Sequence, residues 1–575
     1  MKCRMENPQI LDNYVRNLLS FRGVEDIEGF LNPNKDNLQN PDDLINIGEG
    51  AQLYLNNIGD DKRILIIVDS DCDGFTSSAI IYQYTKIIAP TTQIDYWLHN
   101  GKEHGLSDHI DKLMDEEVKY DLIILPDSSS NDVEYHNKLK EINTPCLCLD
   151  HHQVDVTISD NAIIVNNQIS PNYQNKELVG AGVTFQFCRY IDKLLKINRA
   201  EDFIDLVALG QIGDMGSVLT LENRYIISRG LKSIKNFMFK SMIEKQDYSM
   251  GGKITPISVA FYIVPLINAM IRVGTNEEKD RLFRSFIDGN ELVVSHKRGA
   301  KGELEKVAIE SIRECTNAKS RQTKLIENAE QQIEYKICKY GLLNNKVILV
   351  RLEDDMIFPS ELNGLLAMKI AARYKRPAMV LRLGPDGYDK GSMRGVNQSA
   401  LASFKDFLNE SGFVESMGHD NAAGAIIKDE NLSAFHAYAN EKLANIDFGE
   451  NYYDINFERN VTSPDLDRLI TDISRHDDIW GQSNNVPLIH IKGLIVEPNE
   501  ISIIGKNSDT VKIEKNGITY IKFKAKDMIE DLSKYSETIN IEIVGEANLN
   551  EWGGRTTPQI FIKDYEIKKE NIFEF

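Results

Sequence analysis

The stretch "RILIIVDSDCDGFTSSA" at residues 63–79 restricts the fold of this chain more than any other. Arg63 to Val68 is a continuous apolar run rich in β-branched residues, the pattern of a strand buried on both faces in a parallel sheet. Asp69, Asp71 and Asp73 follow at once. They are therefore placed at the carboxyl end of that strand, where open α/β sheets hold their ligands. Gly74 permits a turn, and "FTSSAIIYQYTKII" reads as a helix that returns an apolar face to the sheet. An isolated acidic triplet is most simply a solvated turn. Three carboxylates crowded behind a buried strand repel one another, and a cation would hold them together.

The pattern recurs along the first half of the chain. "TQIDYWL", "DLIILPD", "TPCLCLD" and "AIIVNN" are short apolar runs with amphipathic segments between several of them, the signature of a parallel α/β sheet. Asp127 ends one run, Asp150 ends another and is followed by His151 and His152, and Asp214 closes the apolar, helical "DLVALGQIGD". Singly, each has a bland reading as a helix cap or a core or surface residue. Together they bring several carboxylates and at least one imidazole to one sheet edge, a donor set suited to Mn²⁺ or Mg²⁺. There are more carboxylates than one ion needs, which favours two metals. A thiolate-rich zinc site is disfavoured at this edge, because Cys72 is the one cysteine in the set and its side chain should point away from the flanking aspartates. The "CLC" at 146–148 reads as two small buried residues in a strand.

A length of 575 residues exceeds one ordinary core and suggests roughly three or four domains. With 42% hydrophobic and 27% charged residues the composition is that of a soluble globular protein. No segment reaches the roughly 20 apolar residues of a membrane span, and "VAFYIVPLINAMI" reads as a buried helix. "MKCRMENPQILDNYV" lacks the apolar core of a signal peptide, and seven cysteines without a C-x-x-C pair argue for reduced thiols, so a cytoplasmic location is expected. A net charge of −21 is unfavourable for binding phosphates over the whole surface. A cleft can carry the opposite sign: "SHKRGAKG", "KSRQTK" and "ARYKRPAMVLR" are local basic clusters, and bound divalent ions would add positive charge.

Five regions are expected: an N-terminal helical segment at 1–55, the parallel-sheet domain at 56–295, a long connecting helix at 296–338, a second α/β unit at 339–451, and strands at 452–575 that suggest a small β-barrel of OB type. In the last region Tyr520, Phe523 and Trp552 lie close in sequence to Lys522, Lys524 and Arg555. That mixture suits stacking on a single strand, with Phe523 read as barrel core.

As a set, "DSDCDG", "LPD", "LDHH" and "ALGQIGD" resemble the DHH phosphoesterase superfamily, and within it the RecJ family of single-strand-specific 5′-to-3′ DNA exonucleases. The likeness extends through "ELVGAGVTFQF", "PLINAMIR", "NAKSRQTKLIENAE", "GSMRG" with "GHDNAAG", and "NEWGGRTTPQIFIKD". The fold it implies is a DHH domain and a DHHA1 domain joined by a long helix, followed by an OB-fold. It further implies that Asp69, Asp71, Asp73, Asp127, His151 and Asp214 hold two Mn²⁺ or Mg²⁺ ions, with Asp127 bridging them. Asp150 would orient a histidine from behind, His152 would face the substrate phosphate, Asn268 and Arg272 would contact the scissile region, Ser392 and Arg394 would hold the 5′-terminal phosphate, and His419 would contact substrate. The chain departs from the family in three places. His99 and Lys102 stand where an arginine is usual ahead of Gly105 and Leu106, "IFPSELNG" with Phe358 replaces a Trp-His pair, and Met417 replaces a glycine. These bear on the grip on substrate rather than on the metals, and such drift fits a phage or mobile-element copy. The resemblance implies single-stranded DNA as substrate, a role in repair or recombination, a monomer, and a helicase or single-strand-binding protein as partner. One alternative is a superfamily enzyme acting on short oligoribonucleotides, cyclic dinucleotides or pyrophosphate, against which the linker helix and barrel weigh. The other is a catalytically silent DNA-binding scaffold, whose mark would be lost metal ligands.

Overall fold

The computed structural model describes residues 2–6, 12–101, 103–115, 119–154, 157–353, 356, 358–397, 399–552 and 554–568. The chain forms two compact units, one of Asp26–Lys324 with Asp478–Asn484, the other of Met1–Glu25, Leu325–Asp477 and Asn485–Phe575. The segment expected at 1–55 therefore divides after Glu25, and a short piece expected in the barrel belongs with the parallel sheet.

In the first unit, strands β1 (Arg63–Val68), β2 (Gln93–Leu98), β3 (Leu122–Pro126), β4 (Cys146–Asp150) and β5 (Ile163–Asn166) form one sheet. All neighbours are parallel and the order is β2-β1-β3-β4-β5. Strand order reverses at β1, so the crevice off the carboxyl ends of β1 and β3 is the topological switch point. Helices α1 (Cys72–Ile88), α2 (Val133–Glu141), α3 (Gly180–Leu195) and α4 (Ile204–Gly213) follow in the chain. Ile64, Ile66 and Val68 pack on the cluster that includes Ala79, Phe185 and Leu206. Leu65, Ile67, Leu125, Leu139 and Cys148 fill the opposite face. α4 is buried from Ile204 to Ile212 on every side, so it is a core helix and its end can aim a residue inward from beneath.

The apolar run expected as one buried helix is two, Pro256–Tyr262 and α5 (Val264–Val273). Pro265 has no N–H to continue the first helix, and the break falls at Ile263. The connecting helix also starts later than expected. The basic run at 295–302 joins a two-stranded hairpin, Leu292–Val294 with Leu304–Lys306, and α6 (Val307–Lys339) begins only after it.

The second unit holds two sheets. β6 (Ile348–Leu352), β7 (Ala378–Leu383), β8 (Tyr388–Arg394), β9 (Val414–His419) and β10 (Ala422–Lys428) have the order β9-β10-β8-β7-β6, parallel only between β6 and β7. The C-terminal sheet has seven strands rather than five: β11 (Phe457–Asn460), β12 (Leu488–Val496), β13 (Ile501–Ile504), β14 (Thr510–Lys515), β15 (Ile518–Lys522), β16 (Ile539–Trp552) and β17 (Arg555–Lys568). They run β11-β12-β16-β17-β15-β14-β13. Near the start of the chain, Lys2–Met5 pairs with Tyr452–Ile455, which ties the N-terminus into this unit.

Candidate metal centre

The switch point gathers the acidic residues, each by its own device. Asp69 is the first residue past β1 and is fully buried. Asp71 is the N-cap of α1, its carboxylate accepting from the N–H groups of Asp73 (2.9 Å) and Gly74 (3.0 Å). The helix thus begins at Cys72, earlier than the sequence suggests, and Asp73 lies in its first turn. Asp73 is fully buried and accepts from the N–H groups of Gly180 (2.6 Å) and Ala181 (3.0 Å), at the start of α3. Asp127 follows β3 with a left-handed backbone, φ 64°, which turns its carboxylate back into the crevice. Asp214 caps the C-terminus of α4.

Glycines make room for this cluster. A Cβ on Gly180 would lie 2.5 Å from Asp127 Oδ1, and one on Gly74 would lie 2.6 Å from the Asp69 carbonyl oxygen. Any side chain there would push on the site.

The imidazole of His151 completes the group. Its Nε2 lies 3.2 Å from Asp127 Oδ1, 3.4 Å from Asp214 Oδ2 and 4.0 Å from Asp73 Oδ2. Behind it, Asp150 accepts from the backbone N–H groups of His151 (2.7 Å), His152 (3.2 Å) and Ser130 (3.0 Å), and pairs with Nδ1 of His152 at 2.8 Å. Asp150 therefore fixes the His152 ring, which is half exposed.

The electrostatics are those of a site built for added positive charge. Burial, joined by the charges of Asp214 and Asp71, pushes the Asp73 carboxyl well above the usual range, and burial with its four acidic neighbours does the same to Asp127. Burial raises Asp69 too, against the opposing pull of His104. Burial and the neighbouring His152 push His151 down to about 4, which leaves its ring neutral and able to donate a lone pair. For His152 burial acts downward as well, but the hydrogen bond and charge of Asp150 carry it up to about 9. Asp150 itself stays well below the usual range despite its burial, held there by His152 and His151. Asp127 Oδ1 and His151 Nε2 are buried and make no hydrogen bond. Oxygen donors in excess, a neutral imidazole and two unpartnered buried atoms fit a hard divalent cation.

Asn268 and Arg272 lie one turn apart on α5, so they share a face; the Arg272 guanidinium, lowered by burial, senses the charge of Asp71. Lys319 on α6, from the basic cluster "KSRQTK", adds a second cation beside Arg272. His104 was missed by motif reading: its Nδ1 is 2.6 Å from Asp69 Oδ2, and Gly105 N–H reaches Asp69 Oδ1 at 3.3 Å. His99 is buried with Nδ1 2.7 Å from Asp108, while its Nε2 stands 4.0 Å from Asp69. It therefore backs the acidic cluster from within the fold. Lys102 lies outside the described residues.

In the second unit the strand register assembles the other expected residues. Arg394 pairs with Ala422, and Ala422 pairs with His419; Ser392 pairs with Gly424, and Gly424 with Met417. Cross-strand partners share a face, so Ser392, Arg394, His419 and Met417 share one side of this sheet. The Arg394 guanidinium lies over Gly364 at the start of α7 (Asn363–Tyr374), where a Cβ would come within 2.5 Å of it. Met417 is 83% exposed on that face. Phe358 is buried and its carbonyl accepts from Arg382.

The aromatic residues of the C-terminal sheet separate differently from expectation. Tyr520 is fully buried core, whereas Phe523 is 58% exposed and stands 5.5 Å from the Phe561 ring, centroid to centroid. The side chain of Trp552 lies outside the described residues.

Comparison with known proteins places these features. Residues 63–211 match the DHH family, N-terminal domain, and residues 461–564 match the RecJ OB domain. A protein of Bacillus subtilis named as an SPbeta prophage-derived single-strand DNA-specific exonuclease is 37% identical over 568 residues, covering 97% of both chains. The single-stranded-DNA-specific exonuclease RecJ of the same species is 25% identical over 97% of this chain and 69% of its own. Among solved structures, RecJ of Thermus thermophilus in complex with Mn²⁺ superposes with a TM-score of 0.73 at 20% identity, over 99% of this chain and 80% of that one.

Proposed function

The chain belongs to the RecJ family of single-strand-specific exonucleases, and from that premise we propose that it degrades single-stranded DNA stepwise from the 5′ end to 5′-mononucleotides, in DNA repair or recombination. One observation supports the chemistry above all. Five carboxylates and His151 meet at the switch point, and Asp127 Oδ1 and His151 Nε2 are left buried without a hydrogen bond. Asp69, Asp71, Asp73, Asp127, His151 and Asp214 are the residues that would hold two Mn²⁺ or Mg²⁺ ions.

Such ions, when bound, supply a water of lowered pKa and neutralise phosphate oxygens as charge builds in an in-line displacement. The chain's own residues do the rest. The N–H groups of Gly180 and Ala181 fix the Asp73 carboxylate, and Asp150 locks the His152 ring with its outer nitrogen free to meet a phosphate oxygen. Arg272 and Lys319 add positive charge beside Asp71 for the strand approaching the site. Ser392, Arg394 and His419 are assigned the 5′-terminal phosphate, Arg394 through paired charge-assisted hydrogen bonds. A silent scaffold is disfavoured because all six ligand positions are intact.

The test is digestion of single strands labelled at the 5′ or the 3′ end, beside duplex and RNA, with Mn²⁺ or Mg²⁺. Release of labelled mononucleotide from the 5′ end of single-stranded DNA alone supports the reading. Release from the 3′ end, or preference for short RNA, overturns it in favour of an oligoribonucleotide phosphodiesterase.

A further inference from the structure

On the face of the parallel sheet opposite the α1, α3 and α4 cluster, three soft donors meet away from the acidic site. Cys146 and Cys148 are alternate residues of β4, so both side chains leave the same face of the strand. Their sulfurs are 4.0 Å apart. His136 projects from α2, and its Nε2 lies 3.6 Å from the sulfur of Cys148. All three residues are buried, and their donor atoms lie within 4.8 Å of one another.

The two shorter separations are those of ligands around a tetrahedral ion. With Zn–S of about 2.3 Å and Zn–N of about 2.0–2.1 Å, a tetrahedron sets two sulfurs about 3.8 Å apart and a sulfur and a nitrogen about 3.6 Å apart. The carbonyl oxygen of Ser129 is 3.8 Å from the Cys148 sulfur. Charge decides which ion fits. Two thiolates and a neutral imidazole around a divalent cation sum to zero, the one total that an apolar surrounding of Leu139, Leu125 and Ile164 tolerates without a further partner. Soft sulfur ligands select zinc over the hard ions suited to the carboxylates.

We propose that His136, Cys146 and Cys148 form a second metal site, for Zn²⁺, that ties α2 to β4 two residues ahead of Asp150. Binding forms two Zn–S bonds and one Zn–N bond and releases two thiol protons to solvent, with no change of oxidation state. The ion enters as the unit folds, since the three side chains are closed to solvent. It would act structurally, holding the strand end that presents Asp150, His151 and His152.

Cobalt distinguishes this site from the acidic one, because only thiolate ligands give sulfur-to-cobalt charge-transfer absorption in the near ultraviolet. The full chain produced in cobalt-supplemented minimal medium should show that band and keep about one equivalent of cobalt after chelator has stripped the acidic site. Cys146→Ser and Cys148→Ser should each lose the band. Asp127→Asn and Cys72→Ser should keep it, the latter as a control because Cys72 adjoins the acidic cluster. On wild-type protein from ordinary medium, blocking thiols with a mercurial should release one equivalent of zinc, a measurement that does not depend on the variants folding. No band with no zinc released would mean that the three residues form only a thiol–imidazole hydrogen-bond chain. A band that survives both serine variants, or is lost with Cys72→Ser, also overturns the site.

Discussion

His151 Nε2 and Asp127 Oδ1 lie 3.2 Å apart in the protein interior, and neither atom makes a hydrogen bond. A buried polar atom left without a partner costs roughly 1–3 kcal/mol, so two facing each other make a standing demand for a cation. Asp127 meets that demand from a left-handed backbone, and four further carboxylates, Asp73, Asp71, Asp69 and Asp214, repel it.

Removing the charge of Asp127 should therefore separate folding from catalysis. Asp127→Asn should lower turnover by at least about 1,000-fold, the equivalent of roughly 4 kcal/mol of transition-state stabilisation. In metal-free protein the same variant should melt no lower than wild type, because repulsion is relieved, and the rise in Tm on adding Mn²⁺ should shrink. Thermal melts with and without Mn²⁺, beside the end-labelled assay, check both halves. A variant that is fully active would sink the two-metal reading.

Gly180 makes a sharper geometric prediction. A methyl group there would sit 2.5 Å from Asp127 Oδ1 and 2.8 Å from its Cα, and the Asp127 backbone cannot swing aside as the end of a flexible chain would. Overpacking of this kind costs roughly 1–3 kcal/mol. Gly180→Ala should fold, melt a few degrees lower, and need a higher Mn²⁺ concentration for half-maximal activity. An unchanged Mn²⁺ dependence would show that the crevice has slack.

On the proposed function, the polarity of digestion would rest on the face that carries Arg394. Arg394→Ala should slow cleavage of 5′-phosphorylated ends by roughly tenfold or more, as loss of a charge-assisted pair worth about 1.5–3 kcal/mol implies, while 5′-hydroxyl ends change less. The ratio of the two rates is the readout. Met417 projects from the same face at 83% exposure, so Met417→Gly should widen that ratio by clearing space beside Ser392. A ratio that neither substitution moves would remove the terminal phosphate from this sheet.

The carboxylates were legible because each stands one to five residues beyond an apolar run, and burial of β1, β3, β4 and α4 fixes where those runs end. His104, in the irregular segment before a turn, left no periodic trace, and Lys319, in a basic cluster the sequence shows, reaches Arg272 only through the tertiary packing of a different helix. The basic run before α6 was read as helix on charge and lack of proline, yet without an apolar face it had nothing to bury and closes a hairpin instead. Phe523 was assigned to the core on hydrophobicity. Strand alternation from buried Tyr520 turns residue 523 to the other side, and the left-handed Lys524 ends the strand geometry there. Cys146 and Cys148 were read correctly as buried strand residues, but His136 beside them comes from a separate helix and gave no spacing to read.

That reversal at Phe523 changes how the C-terminal sheet should be tested. Deleting residues from 452 onward would remove Asp478, whose carboxylate is 2.6 Å from the guanidinium of Arg224, a side chain buried to 1% in the parallel-sheet unit. Losing Asp478 leaves the buried Arg224 guanidinium without its carboxylate, so the truncated chain should lose Tm and activity on every substrate, whatever the sheet does for DNA. Phe523→Ala leaves that pair alone. Phe523 stands exposed between Lys522 and Lys524, against the ring of Phe561, where the proposed function would use it to stack on a base. Stacking contributes roughly 1–3 kcal/mol per base, so the substitution should weaken binding of long single strands about tenfold and leave KM for short oligonucleotides unchanged. Lys522→Ala with Lys524→Ala should instead flatten the dependence of long-strand binding on salt. Equal losses on short and long strands for Phe523→Ala would mean that the ring supports folding, and no loss on either would take this face out of the DNA path.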